Sequence, residues 1–153
     1  MATSNVSAID REEYQLIESK SATGTTITFN AFSGYKHLWL TGKAITKSGS
    51  TAIAVRPNNN STAGNYAVAQ NTSSNAAFFV TGSTSSAQAA SFLIYDVDKT
   101  TPKRVACSYD PSVPQNDQDA FIDTVAVTSL VVYANDGTST FTGGTFYLYG
   151  IVA

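Results

Sequence analysis

The chain ends in Gly143-Gly144-Thr145-Phe146-Tyr147-Leu148-Tyr149-Gly150-Ile151-Val152 before its last residue, and this stretch constrains the fold more than any other. Aromatic and β-branched residues dominate it and two glycines lead into it, the composition of a β-strand entered through a turn. It is apolar on both parities, with Phe146, Leu148 and Val152 on one side and Tyr147, Tyr149 and Ile151 on the other. At a bare sheet edge such a strand would template pairing with other chains. It is therefore expected inside a sheet, between strands made much earlier, so that the fold depends on long-range contacts.

The rest of the chain supplies the partners. Alternating or β-branched runs predict strands over Tyr14–Ser19, Thr25–Phe29, Tyr35–Thr46, Thr51–Arg56, Ser91–Val97 and Lys103–Tyr109, with shorter ones over Tyr66–Ala69 and Ala76–Val80. Phe121–Tyr133 is too long for one flat strand and predicts a bend or bulge near Thr128-Ser129. Turn chemistry separates these runs, as in Pro57-Asn58-Asn59-Asn60, Asp98-Lys99-Thr100-Thr101-Pro102 and Asn135-Asp136-Gly137. No segment carries a helical period. About eight to ten strands at this spacing point to an all-β, two-sheet antiparallel β-sandwich, and in particular to a jelly roll. Residues 13–153 make one domain, preceded by an arm over residues 1–12 that is too polar to order itself. Fully extended, that arm reaches roughly 40 Å at about 3.3–3.6 Å per residue.

Composition narrows function mainly by exclusion. Charged residues make up 13% of the chain, about half the usual share. Ser, Thr, Asn, Gln and Gly supply the missing polarity. A formal net charge of −2 leaves no basic stripe of the kind phosphate backbones need, so nucleic acid is not an expected partner. Lys99, Lys103 and Arg104 read as a solvated turn. No apolar run has the length of a membrane span, and the first residues lack the pattern of a signal peptide. Cys107 is the only cysteine and is expected to fill core space.

Catalytic constellations are sparse. His37 is the only histidine, so any Ser-His-Asp arrangement would have to use it, and a structural role beside Trp39 is the expected one. Asp96 with Asp98, and Asp117 with Asp119, have spacings that could pair two carboxylates, but turn capping accounts for both. No enzymatic activity, metal or cofactor is expected. Aromatics are more informative. Trp39, Tyr66, Tyr147 and Tyr149 could stack on sugars or bases, yet aromatic residues on strands more often lie in a core or an interface. Three strands, Tyr35–Thr46, Val125–Tyr133 and Thr145–Val152, are apolar on both parities, so something must cover their second face. Copies of the same chain are the expected cover. Candidate oligomer-interface residues are Trp39, Ile45, Tyr147, Tyr149 and Ile151.

Several stretches taken together carry a resemblance. They are Phe141-Thr142-Gly143-Gly144-Thr145-Phe146-Tyr147-Leu148-Tyr149-Gly150-Ile151, Gly34-Tyr35-Lys36-His37-Leu38-Trp39-Leu40, Val55-Arg56-Pro57-Asn58-Asn59 followed by Asn65-Tyr66, and Ile94-Tyr95-Asp96. In that order the set resembles small structural proteins of tailed bacteriophages, over about residues 25 to 151. Pro57 departs from their pattern by separating the arginine from the asparagine. The resemblance implies a non-enzymatic particle component made in the bacterial host's cytoplasm. The first expectation is a capsid decoration (cement) protein on the outer capsid surface of the virion. It would be a homo-oligomer, with a trimer as the expected form, bound to the major capsid protein through the arm residues Asp10, Arg11 and Glu12. The alternative is a tail-fibre or receptor-binding module that recognises host-surface carbohydrate. Loops 57–65 and 110–119 would then supply hydrogen bonds, with Tyr66 or Tyr109 as a stacking base.

Overall fold

The structure is a computed structural model and describes residues 13–30, 32–67, 77–107 and 119–152. Eleven strands occupy them. They are β1 (Gln15–Ser21), β2 (Thr26–Asn30), β3 (Tyr35–Lys47), β4 (Ile53–Pro57), β5 (Tyr66–Ala67), β6 (Phe78–Phe79), β7 (Gln88–Ile94), β8 (Lys103–Cys107), β9 (Asp119–Phe121), β10 (Ser129–Ala134) and β11 (Phe141–Val152). A single 3-10 turn, Ala63–Asn65, is the one helical element among the described residues. The chain is an all-β sandwich of two antiparallel sheets. One has seven strands in the order β1-β11-β3-β7-β8-β9-β5, the other four in the order β2-β10-β4-β6. The closing strand β11 lies between β1 and β3, as its apolar composition requires.

The pairings are nested. β1 pairs with β11, β2 with β10, β3 with β7 and β4 with β6, as in a long two-stranded ribbon whose ends are the chain's outermost strands. Two further pairings, β11 with β3 and β10 with β4, wrap that ribbon on itself and split it into two sheets. The inner faces enclose Phe29, Phe78, Phe92, Phe121, Phe146, Leu38, Leu40 and Leu130, all fully buried. Burying a side chain of this size contributes about 1.5–3 kcal/mol.

Departures from the expected strands have local causes. β7 stops at Ile94 instead of Val97 because Asp96 takes φ 55°, a left-handed conformation that no strand continues through. The expected run from Phe121 to Tyr133 is divided. Phe121 ends β9, residues 122–128 form a loop, and only Ser129–Ala134 is strand. In β3 the ladder to β7 shifts between Gly42 and Ile45, where Ala44 takes φ 53°. The shift reverses the expected parity, sending Ile45 and Lys47 to the inner face and leaving Ala44 exposed. Gly42 is kept small by a ring and not by a backbone, since a Cβ there would sit 2.8 Å from the Phe146 ring.

Two lysines hold the sandwich together. Lys20 of β1 reaches across one side and donates to the Thr28 carbonyl of β2 at 2.6 Å, joining the outermost strands of the two sheets. Lys103, expected on a solvated turn, is fully buried and donates to the carbonyls of Asp123 and Val125. Burial pushes its ammonium pKa down, and the neighbouring Asp123 charge opposes that shift.

Candidate functional site

Each sheet has an outer face, and the two are treated differently. On the four-stranded sheet the second face of β10 is covered by the chain itself. Tyr133 is packed with Ala54, Ala77, Phe79 and Val131, and the Arg56 guanidinium lies 4.5 Å from its ring centre. No second copy is needed to shield that strand, which corrects the expectation for it.

The seven-stranded sheet keeps an apolar surface. Register places Leu16 of β1 opposite Tyr149 of β11, Tyr149 opposite Trp39 of β3, Trp39 opposite Leu93 of β7, and Leu93 opposite Ala106 of β8. One transverse row of apolar side chains therefore crosses five strands, with Leu16 56% exposed at its end. The row is stiffened by ring contacts. Trp39 meets Tyr14 edge-on at 5.4 Å and Tyr149 at 5.6 Å, and its indole N–H donates to Ser91 Oγ at 2.9 Å. Such contacts fix aromatic orientation beyond what area burial provides. Beside Trp39 the surface dips into a cleft of about 470 Å³ lined by Tyr14, Trp39, Ser91, Leu93, Ala106 and Cys107. No lining residue is charged. Cys107, expected in the core, packs against it opposite Phe92 and is half-buried where it borders this wall.

The expected interface residues divide accordingly. Trp39 and Tyr149 lie together in the row, and Tyr147 sits one row away, opposite Thr41 and Ser19. Ile45 is fully buried in the core, because the bulge at Ala44 turned it inward, so it offers nothing to a partner. Ile151 pairs with His37 and is only 7% exposed, so it too is withdrawn from the surface. Asp10, Arg11 and Glu12 lie outside the described residues.

The loops named for the alternative reading are bound internally where they are described. Asn58 takes φ 52°, accepts the Thr128 and Ser129 amides on Oδ1 at 2.8 and 3.3 Å, and donates from Nδ2 to the Ala126 carbonyl at 2.9 Å. Asn60 donates to an Asp123 carboxylate oxygen at 2.7 Å and accepts the Thr62 amide at 2.8 Å. These amides are committed to the fold and unavailable to a ligand. Tyr66 is 4% exposed between Phe78 and Phe121, with its hydroxyl donating to the Asn60 carbonyl at 2.5 Å, so it is a core ring and not a stacking base. Burial raises its pKa. Tyr109 and residues 110–118 lie outside the described residues.

The polar candidates also have structural duties. His37 Nδ1 accepts the Asp96 amide at 3.1 Å, holding the turn that ends β7, and its ring meets Tyr95 at 5.1 Å. The Asp98 carboxylate accepts from Lys99 at 2.6 Å, and that bond holds its pKa below the usual carboxylate range. Asp117 and the side chain of Asp119 lie outside the described residues. Among the described residues no group of three or more His, Cys, Asp and Glu could hold a metal ion.

No protein-family model, curated protein or solved structure matches the chain.

The row's other members, Leu16, Leu93 and Ala106, and the cleft wall at Tyr14, were not singled out in the sequence. Leu16, Leu93 and Ala106 belong to three different strands and Tyr14 directly precedes β1, so only the tertiary fold brings them together. The available signal was Leu93 in the apolar run Phe92-Leu93-Ile94, whose middle residue must face away from its neighbours.

Proposed function

We propose that the chain is a structural, non-enzymatic component of a virus particle, a capsid decoration protein that acts as a homo-oligomer, with the outer face of the seven-stranded sheet as its association surface. The observation that carries the reading is the row Leu16-Tyr149-Trp39-Leu93-Ala106, an apolar line across five strands of one sheet face. Apolar side chains lined up across a sheet face offer a surface that a second copy can cover. The nested strand pairing supports a jelly-roll reading of the sandwich, an architecture frequent among capsid and lectin domains, and the resemblance to tailed-phage structural proteins points to the particle. Architecture alone is a weak guide to function. The surface row and the resemblance carry the proposal. Particle binding would come from many small contacts, multiplied by linking several copies.

Cosedimentation tests this. Purified protein should bind capsid shells stripped of accessory proteins and remain oligomeric when residues 2–12 are deleted, while the deletion abolishes shell binding. Normal occupancy by the truncated protein would overturn the role of Asp10, Arg11 and Glu12. Failure of the intact protein to bind any shell would overturn the decoration reading.

The alternative, a tail module for host-surface carbohydrate, is favoured by one observation, the uncharged depression beside the half-exposed Trp39 ring, a flat platform on which a sugar could stack. A glycan array separates the two readings, because saturable binding belongs only to the second.

A further inference from the structure

Tyr14 directly precedes β1, yet its ring reaches past β11 to meet Trp39 of β3 edge-on at 5.4 Å. The same ring forms one wall of the cleft that Trp39, Leu93 and Ala106 line. Residues 1–12 therefore enter the described fold beside that wall, with only Glu13 between. A segment tethered this closely meets the cleft at an effective concentration of about millimolar, whatever the concentration of the protein.

Reach and composition single out one residue of the arm. Leu93 stands on the third strand from β1, about 14 Å away at about 4.8 Å a strand. Ile9 is five residues before Tyr14, and five extended residues span up to about 17 Å. Between them Asp10-Arg11-Glu12-Glu13 are all charged, so Ile9 is the first apolar side chain the arm can offer. Charges do not enter an uncharged cleft without a partner, which leaves residues 10–13 bridging its rim. Those four residues carry a net −2. Arg104 is exposed on β8, two residues before Ala106 and on the same face, because Lys103 and Val105 point inward.

We propose that the chain's own arm covers this cleft, with Ile9 seated against Leu93 and Ala106 and Asp10 beside Arg104. The contact requires neither a shell nor a second copy. Connectivity supplies the link between the two surfaces, since the arm begins at the wall of the cleft it fills. A docked arm competes with any second copy for the Trp39-Leu93-Ala106 part of the row. Lifting it frees that part of the row and Asp10, Arg11 and Glu12 in one step.

Trp39 is the sole tryptophan, so its fluorescence reads the cover directly. Deleting residues 2–12 should make Trp39 more accessible to acrylamide and shift its emission to the red. Ile9→Ser should do the same in the full-length chain, whereas Ile9→Leu should not. Trypsin gives a second reading, because the Arg11–Glu12 bond lies between the anchors Ile9 and Tyr14. Ile9→Ser should be cut there at least about fivefold faster than wild type, since cleavage follows the population of the open form. Ala106→Arg fills the seat and should expose the bond to the same extent, and combining it with Ile9→Ser should add nothing. Near-ultraviolet circular dichroism should report an intact fold for each variant, and every effect should be unchanged on dilution. Equal quenching and equal cleavage in wild type and Ile9→Ser would overturn the contact. Additive effects of Ile9→Ser and Ala106→Arg would overturn the seat at Leu93 and Ala106. Protection that fades on dilution would give the cleft to the arm of another copy and overturn the contact within one chain.

Discussion

Asp136 illustrates how far one side chain can determine a turn. Its carboxylate accepts the Ser139 hydroxyl at 2.6 Å and the amides of Ser139 and Thr138 at 2.8 and 3.0 Å. These bonds, the Ser139 hydroxyl first, hold its pKa down to about 2. A folded pKa below the unfolded value means that the stabilisation is complete above the unfolded carboxylate range and is lost as the pH falls through the folded pKa. Asp136→Asn should therefore lower the melting temperature at neutral pH, with the difference from wild type constant down to about pH 4 and gone near pH 2. A difference independent of pH down to the acid limit would mean that the carboxylate charge is not what holds the turn. Lys103 teaches the reverse lesson. As a residue type it belongs on a surface, and in this chain it sits fully buried with its ammonium held by two carbonyls of the 122–127 loop.

At the scale of elements, the bend in β3 and β11 decides which side chains reach the core. Ala44 at φ 53° and Gly144 at φ 97° face each other across the irregular part of the ladder. A Cβ on Gly144 would lie 2.5 Å from the Ala44 carbonyl oxygen, a distance real atoms do not tolerate. Gly144→Ala should cost roughly 1–3 kcal/mol in urea unfolding. Ala44→Gly, which relieves a left-handed alanine, should raise stability by up to about 1 kcal/mol. Equal effects of the same sign at the two positions would mean that the bulge is not a strained feature. Sequence alone read Gly143-Gly144 as a turn into the last strand, whereas both lie inside β11 at its irregular stretch. It carried no mark at Ala44, because alanine has no preference for that conformation and takes it only when the partner strands impose it. Ile45 was consequently expected on the surface and lies inside.

For the whole molecule the nested pairings set the kinetics. β1 must find β11 and β2 must find β10, so the segments between partners take up most of the chain. Closing them costs entropy before any core forms, and two-sheet folds of this type refold in about milliseconds to seconds. Trp39 is the only tryptophan and packs against Tyr149 of β11, so its fluorescence reports when β11 docks on β3. Stopped-flow refolding should place that change in the slow phase. Its full amplitude within microseconds would show that docking does not limit folding. The same nesting made the sandwich legible in advance, since a closing strand apolar on both parities has no stable place except between two others.

What the sequence determined by itself was local: where strands form, where Asn, Pro and Gly turn the chain, how little charge the surface carries, and that the last strand is interior. These follow from side-chain chemistry within a few residues. Only the tertiary structure decided which parity faces inward beyond Ala44, that Ala77, Phe79 and Arg56 cover β10, that Lys103 is buried, and that Leu16, Tyr149, Trp39, Leu93 and Ala106 stand in one row. The reason is register. Side chains alternate with a period of two, so one residue's slip against a distant partner exchanges inside for outside, and the partners that fix the register lie far away in the chain.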